Sequence, residues 1–276
     1  MSLDPFDYRE PACALCGGEE FYYPEKAKKS SVPLSGMMAK LDAALNREDY
    51  SEAKRLLLFW VEETQSAGDQ KGELSVQNEL IGLYRKLGEA QSALAAAQRS
   101  IELVAQLGLG DSVSGATILL NAATNLKAFG QTAAAMEHYE QVQQTYTRLL
   151  PENDPLLGAF YNNYALALAD IGNVAQAMDC FEKALDIMKL CENGALEMAV
   201  TYLNMADLYD MSNPENEQTI TALLESALTC LDSPELPRNG YYAFTCRKCA
   251  PVFDYYGYFQ TKIDLNKRAD DIYAGN

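Results

Sequence analysis

Three stretches decide the reading of this chain: Asn78-Glu-Leu-Ile-Gly-Leu-Tyr-Arg-Lys-Leu-Gly88, Asn121-Ala-Ala-Thr-Asn-Leu-Lys-Ala-Phe-Gly130 and Asn163-Tyr-Ala-Leu-Ala-Leu-Ala-Asp-Ile-Gly172. Their closing glycines fall 42 residues apart, twice in succession. Ala93, Ala135 and Ala177 follow each glycine by five positions, and Leu94, Met136 and Met178 follow by six. Asn121 and Asn163 share the 42-residue spacing, and Asn204 follows 41 later. Independent features at one spacing mark an internal repeat. Each unit reads as two helices. The first ends at glycine, where a left-handed cap needs a residue without Cβ. The second carries a stripe such as Ala177, Phe181, Ala184 and Leu185, at helical spacing. Small residues (Ala165, Ala177, Ala184) allow close helix approach, and Tyr161, Leu168 and Phe181 fill the gaps. One hairpin alone leaves an apolar face bare, so the hairpins must stack. The expected class is all-α.

Small, aromatic, glycine and alanine positions at these offsets resemble the tetratricopeptide repeat. The period near 42, the pair Asn162-Asn163 before Tyr-Ala, and the linker Leu149-Leu-Pro-Glu-Asn-Asp-Pro155 resemble the longer kinesin-light-chain-like version common in bacterial arrays. The resemblance covers roughly residues 35–275 and implies an α-solenoid, a right-handed superhelix of about six stacked hairpins. The units expected are 35–65, 73–107, 115–149, 157–191, 198–232 and 240–273. In the first, Glu48 replaces the turn glycine while Tyr50 and Ala53 keep register. The fifth keeps Tyr202, Asn204, Ala206 and Tyr209, with extra residues at Asn213-Pro214. In the sixth, Pro251 is expected to kink or restart the first helix, leaving a distorted cap. Residues 1–34 fall outside the repeat as an irregular arm, rich in proline and in aromatics such as Phe21-Tyr-Tyr-Pro24.

The chain has 276 residues, 48% hydrophobic and 22% charged, enough for a packed core. Net charge is −17 and the pI about 4.4, a field that repels phosphate backbones, so nucleic acid is not an expected partner. No apolar run of about 18 residues exists, so no membrane span is expected. Met1 to Pro5 lacks the basic and apolar regions of a signal peptide, and seven cysteines at irregular spacing do not read as a disulfide framework. A reducing cytoplasm is the expected compartment.

No catalytic constellation assembles. His138 is the only histidine, on a second helix that should face solvent, and nucleophilic or metal-hydrolase arrangements need more. Gly108-Leu-Gly110 lacks the lysine and strand of a phosphate loop. Two Cys-x-x-Cys pairs leave two readings open. Cys13 and Cys16 could complete a four-thiolate zinc site with Cys246 and Cys249, zinc needing four ligands. Alternatively Cys246 and Cys249, in the register of Tyr161 and Tyr164, are buried small hydrophobes and no cofactor is bound. Cys180, Cys191 and Cys230 read as packing residues.

The resemblance implies that first helices line a concave groove for a partner peptide or protein. The lining expected is Asn78, Arg85, Lys86, Asn121, Thr124, Lys127, Asn162, Asn163, Asp170, Asn204, Asp207 and Asp210, with Arg247, Asp254 and Tyr255 added by the last unit. Asparagine offers both donor and acceptor to a peptide backbone. Bases gather in units two and three and acids in four to six, which suggests a groove polarised for an extended segment. The function expected is a non-enzymatic scaffold or adaptor. The alternatives are a peptide-sensing regulator resembling bacterial quorum-sensing receptors and a zinc-binding protein. Two further expectations are end-to-end homodimers through exposed terminal edges, and the arm occupying the groove as an autoinhibitory segment.

Overall fold

A computed structural model describes residues 33–274 apart from Glu48, Glu192, Asn193 and Pro214. The arm, with Cys13 and Cys16 and its expected place in the groove, lies outside the described residues, as do the turn positions Glu48 and Pro214. Twelve α-helices and no strand form among the described residues. They are α1 (Leu34–Asn46), α2 (Tyr50–Ser66), α3 (Gln70–Lys86), α4 (Ala90–Gln106), α5 (Val113–Ala128) and α6 (Thr132–Leu149). There follow α7 (Pro155–Asp170), α8 (Val174–Met188), α9 (Ala195–Ser212), α10 (Glu217–Leu231), α11 (Gly240–Tyr255) and α12 (Phe259–Tyr273). None is long and apolar enough to cross a membrane.

The helix boundaries follow from local chemistry. Asp69, Ser112 and Asp154 cap α3, α5 and α7 by accepting from the backbone N–H of Gly72, Gly115 and Leu156. Pro155 adds the fixed φ suited to a first helical position. Gly88, Gly130 and Gly172 close α3, α5 and α7 at φ 69°, 77° and 81°, the left-handed region that favours glycine. Gly115 answers a different demand, since a Cβ there would stand 2.0 Å from the Leu109 carbonyl oxygen.

The chain divides after Leu150 into two compact units. In residues 33–150, α1–α2, α3–α4 and α5–α6 pair as hairpins, α2 packs on α3, α4 on α5, and α3 lies along α5. A core of Met37, Leu41, Leu57, Leu80, Ile81 and Ala97 is sealed between them. In residues 151–276, α7–α8, α9–α10 and α11–α12 pair, with the first helices α7, α9 and α11 side by side. Leu203, Leu224, Phe253 and Leu265 stand in that unit's core.

The expected restart at Pro251 is overturned here. Helix α11 runs unbroken through Pro251. Proline removes one backbone donor, but its ring is exposed while Cys249, Ala250, Val252 and Phe253 around it are buried. Packing on both sides of the proline outweighs one lost hydrogen bond.

Candidate protein-binding surfaces

The candidate lining stands on first helices, and what each side chain touches separates anchors from free surface. In residues 33–150, Asn78 and Asn121 are buried, and Asn121 Nδ2 donates to Asn78 Oδ1 at 3.0 Å. Their amides therefore tie α3 to α5. Thr124 is also buried, its Oγ1 3.2 Å from the Tyr139 hydroxyl on α6. Arg85 is fully buried at the end of α3. Lys86 is exposed, its ammonium 5.2 Å from the centre of the Tyr50 ring, and Lys127 is half-buried in the last turn of α5. Deeper in this unit Glu73, 3% exposed, receives Arg99 in a two-pronged pair at 2.8 Å and Gln65 at 2.9 Å. The Arg99 hydrogen bonds hold its carboxyl below the usual carboxylate range.

Residues 151–276 repeat the asparagine tie. Asn204 Nδ2 donates to Asn162 Oδ1 at 3.1 Å, and Thr201 Oγ1 donates to the same oxygen at 3.1 Å. Asn163 turns back on its own helix, donating to the Ala159 carbonyl at 2.8 Å. Between α9 and α11 the ties become tyrosine on carboxylate. Tyr256 donates to Asp207 at 2.9 Å, Tyr255 to Asp210 at 3.1 Å, and Tyr241 to Glu197. Burial pushes Glu197 up, opposed by the nearby charge of Lys248. Asp170, at the end of α7, is exposed.

Arg85, expected in the groove lining, is instead fully buried, and three further placements depart from the sequence reading. Arg247 pairs with Asp270 at 2.8 Å and Asp254 with Lys262 at 2.8 Å, so both turn toward α12 rather than toward α9. Lys248 and Tyr256 hold the α9-facing register instead. His138 is on a second helix as expected but half-buried, with Nδ1 shielded and without a hydrogen-bond partner, and burial lowers its pKa. Sequence reasoning also missed Asn125, fully buried with neither amide atom hydrogen-bonded. The signal was available, because in the 42-residue register it falls with Leu83 and Ala167, at an apolar position.

Cys246 and Cys249 are fully buried on α11, and burial raises both thiols, Cys249 to about 12. They are packed as neutral small side chains. Among the described residues no group of three or more His, Cys, Asp or Glu side chains could hold a metal ion.

The chain's likenesses agree with this geometry. Residues 72–148 match the tetratricopeptide-repeat family. No curated protein matches the chain. Among solved structures, BtubC (BKLC) from P. vanneervenii is 22% identical with a TM-score of 0.60, over 70% of this chain and 78% of that one. A kinesin light chain from Podosopora anserina, with nearly identical TPR-like repeats, is 20% identical with a TM-score of 0.51, over 73% of this chain and 95% of that one. At these identities the likeness is one of fold.

Proposed function

The chain is a tetratricopeptide-repeat protein with an all-α solenoid fold, and from that premise we propose that it is a non-enzymatic scaffold or adaptor. Repeats of this family generally serve protein–protein interaction. The finer reading is that the inner faces of its first helices take an extended segment of a partner protein. In residues 33–150 an acidic stretch would meet Lys86 and Lys127; in residues 151–276 the acids Asp170 and Asp210 favour a basic one, while Asp207 is buried against Tyr256.

The observation that carries this reading is the sorting of charge along the first helices. Lys86 and Lys127 occupy the last turns of α3 and α5, beside the fully buried Arg85, while no base occupies the last turns of α7, α9 or α11. The asparagines serve this surface indirectly, by fixing the register of neighbouring helices. Free thiols at Cys180, Cys191, Cys230, Cys246 and Cys249 suit a reducing compartment such as the cytoplasm.

The test is affinity capture of a partner followed by titration against Lys86→Glu with Lys127→Glu. A roughly tenfold weaker affinity with a shallower salt dependence is expected. Unchanged affinity and unchanged salt dependence would remove the proposal.

A further inference from the structure

One pair of side chains breaks the repeat's own solvent pattern. Each second helix buries an alanine near its start: Ala53, Ala93, Ala135 and Ala177 in units one to four. The fifth and sixth positions after it are polar in units two to four: Gln98 and Arg99, Glu140 and Gln141, Glu182 and Lys183. In the first unit they are Leu58 and Phe59, 42% and 49% exposed. With Arg55, Glu62 and Ser66 they make one exposed stripe along α2, opposite the buried Ala53, Leu57 and Thr64. Glu62 and Glu63 are exposed in the last turns of α2 and form no ion pair among the described residues, while Arg55 is engaged by Glu52 at 2.7 Å. No base occupies the last turn, where a helix favours one.

The chain supplies the complement at the nearest place. Helix α1 has 13 residues and pairs with α2 through a short turn, so the two run antiparallel. Its rise of about 20 Å brings Pro33 level with Glu62 and Glu63. Just upstream stands Phe21-Tyr-Tyr-Pro-Glu-Lys-Ala-Lys-Lys29. Read backward from Pro33, lysines come first and aromatics second, the order in which α2 presents Glu63 and Glu62, then Phe59 and Leu58. Ten residues separate Tyr23 from Pro33, a reach of about 33 Å. Crossing α2 takes about 10 Å and one turn along it about 5 Å. Tethering gives this segment an effective concentration of order millimolar, so a small apolar seat suffices.

We propose that residues 21–29 of the same chain dock on the outer face of α2, the aromatic run on Leu58 and Phe59, and Lys26, Lys28 and Lys29 beside Glu62 and Glu63. The arm is then a cap on the outer side of the first hairpin rather than the groove filler expected from its aromatic content. Lys86 and Lys127 are left to a partner.

The test applies a zero-length carbodiimide, which joins lysine to carboxylate, to the full chain at low micromolar concentration, with mapping by mass spectrometry. Links from Lys26, Lys28 or Lys29 to Glu62 or Glu63 are expected. Trypsin should cut after these lysines roughly tenfold faster in Leu58→Ser with Phe59→Ser. Both positions are polar in the other units, so this variant should keep the parent's circular dichroism. Phe21→Ser with Tyr22→Ser and Tyr23→Ser should speed cleavage equally, and combining the two sets should add nothing. Trp60, the only tryptophan, stands 5.3 Å from Phe59 between ring centres, and its emission should shift to the red in the arm variant. Absence of these links, links to Glu79 on α3 instead, or cleavage within twofold of the parent in the Leu58 and Phe59 variant overturns the proposal. So do links joining isotopically labelled to unlabelled chains, which place the segment on a second copy.

Discussion

Residues 33–150 end their inner helices α3 and α5 in Arg85, Lys86 and Lys127; residues 151–276 end α7, α9 and α11 in Asp170, Asp210 and Asp254. Both units stack hairpins, and both tie neighbouring first helices through an asparagine pair, Asn78–Asn121 in one and Asn162–Asn204 in the other. The backbone problem is thus solved alike while the charge is opposed. Residues 33–150 carry 10 bases against 14 acids, and residues 151–276 carry 8 against 19. The difference teaches that repeat architecture constrains the buried seam and leaves helix ends open to specialise. In the first unit the ends follow the helix dipole, and charge is also buried in a matched pair, Glu73 with Arg99. In the second, carboxylates meet tyrosine hydroxyls and helix ends run against the dipole.

The contrast breaks most visibly at Glu73. Replacing it by alanine leaves Arg99, a third exposed, with the longer Glu102 pair at 3.4 Å, and leaves Gln65 without its acceptor. The expected loss is about 2 kcal/mol, less than for a fully enclosed pair, read as a lower urea midpoint for residues 33–150. An unchanged midpoint would show the pair to be an ornament of the seam.

Acidification from neutral toward pH 4.5 should then act on one unit and spare the other. The folded-state pKa of Glu73 is depressed, so its contribution is present above the ordinary carboxylate value of 4.5 and fades as pH falls through the depressed value. That of Glu197 is raised, so the folded state binds its proton more tightly and the α9–α11 seam gains stability as pH falls from neutral toward 4.5. Hydrogen exchange, corrected for intrinsic rates, should show α9–α11 becoming better protected over that window while α3–α4 holds, and Glu197→Gln should flatten the first response.

Much of the scaffold was legible because it is written locally. Gly88, Gly130 and Gly172 announce left-handed caps within a few residues of chain, and the recurrence at 42 turns local signals into an array. Pro251 misled because a propensity argument weighs one lost hydrogen bond and cannot see the buried neighbours that hold α11 together. The asparagines were found but their role was not: pairing Asn121 with Asn78 requires knowing that α3 and α5 lie side by side. Arg247 and Asp254 were assigned to the wrong face for the same reason, since α12 supplies their partners Asp270 and Lys262. Asn125 was visible as a polar residue in an apolar register, a signal that periodicity alone discards as noise.

The hairpin α9–α10, lacking both bases, has a practical corollary. Trypsin finds no site between Lys189 and Arg238, so this stretch emerges as one long fragment, Leu190–Arg238. Amine-directed cross-linkers, acetyltransferases and ubiquitin ligases acting on lysine have no target between Lys189 and Lys248. Mapping contacts made by this hairpin therefore calls for carboxylate-directed reagents and cleavage at acidic residues.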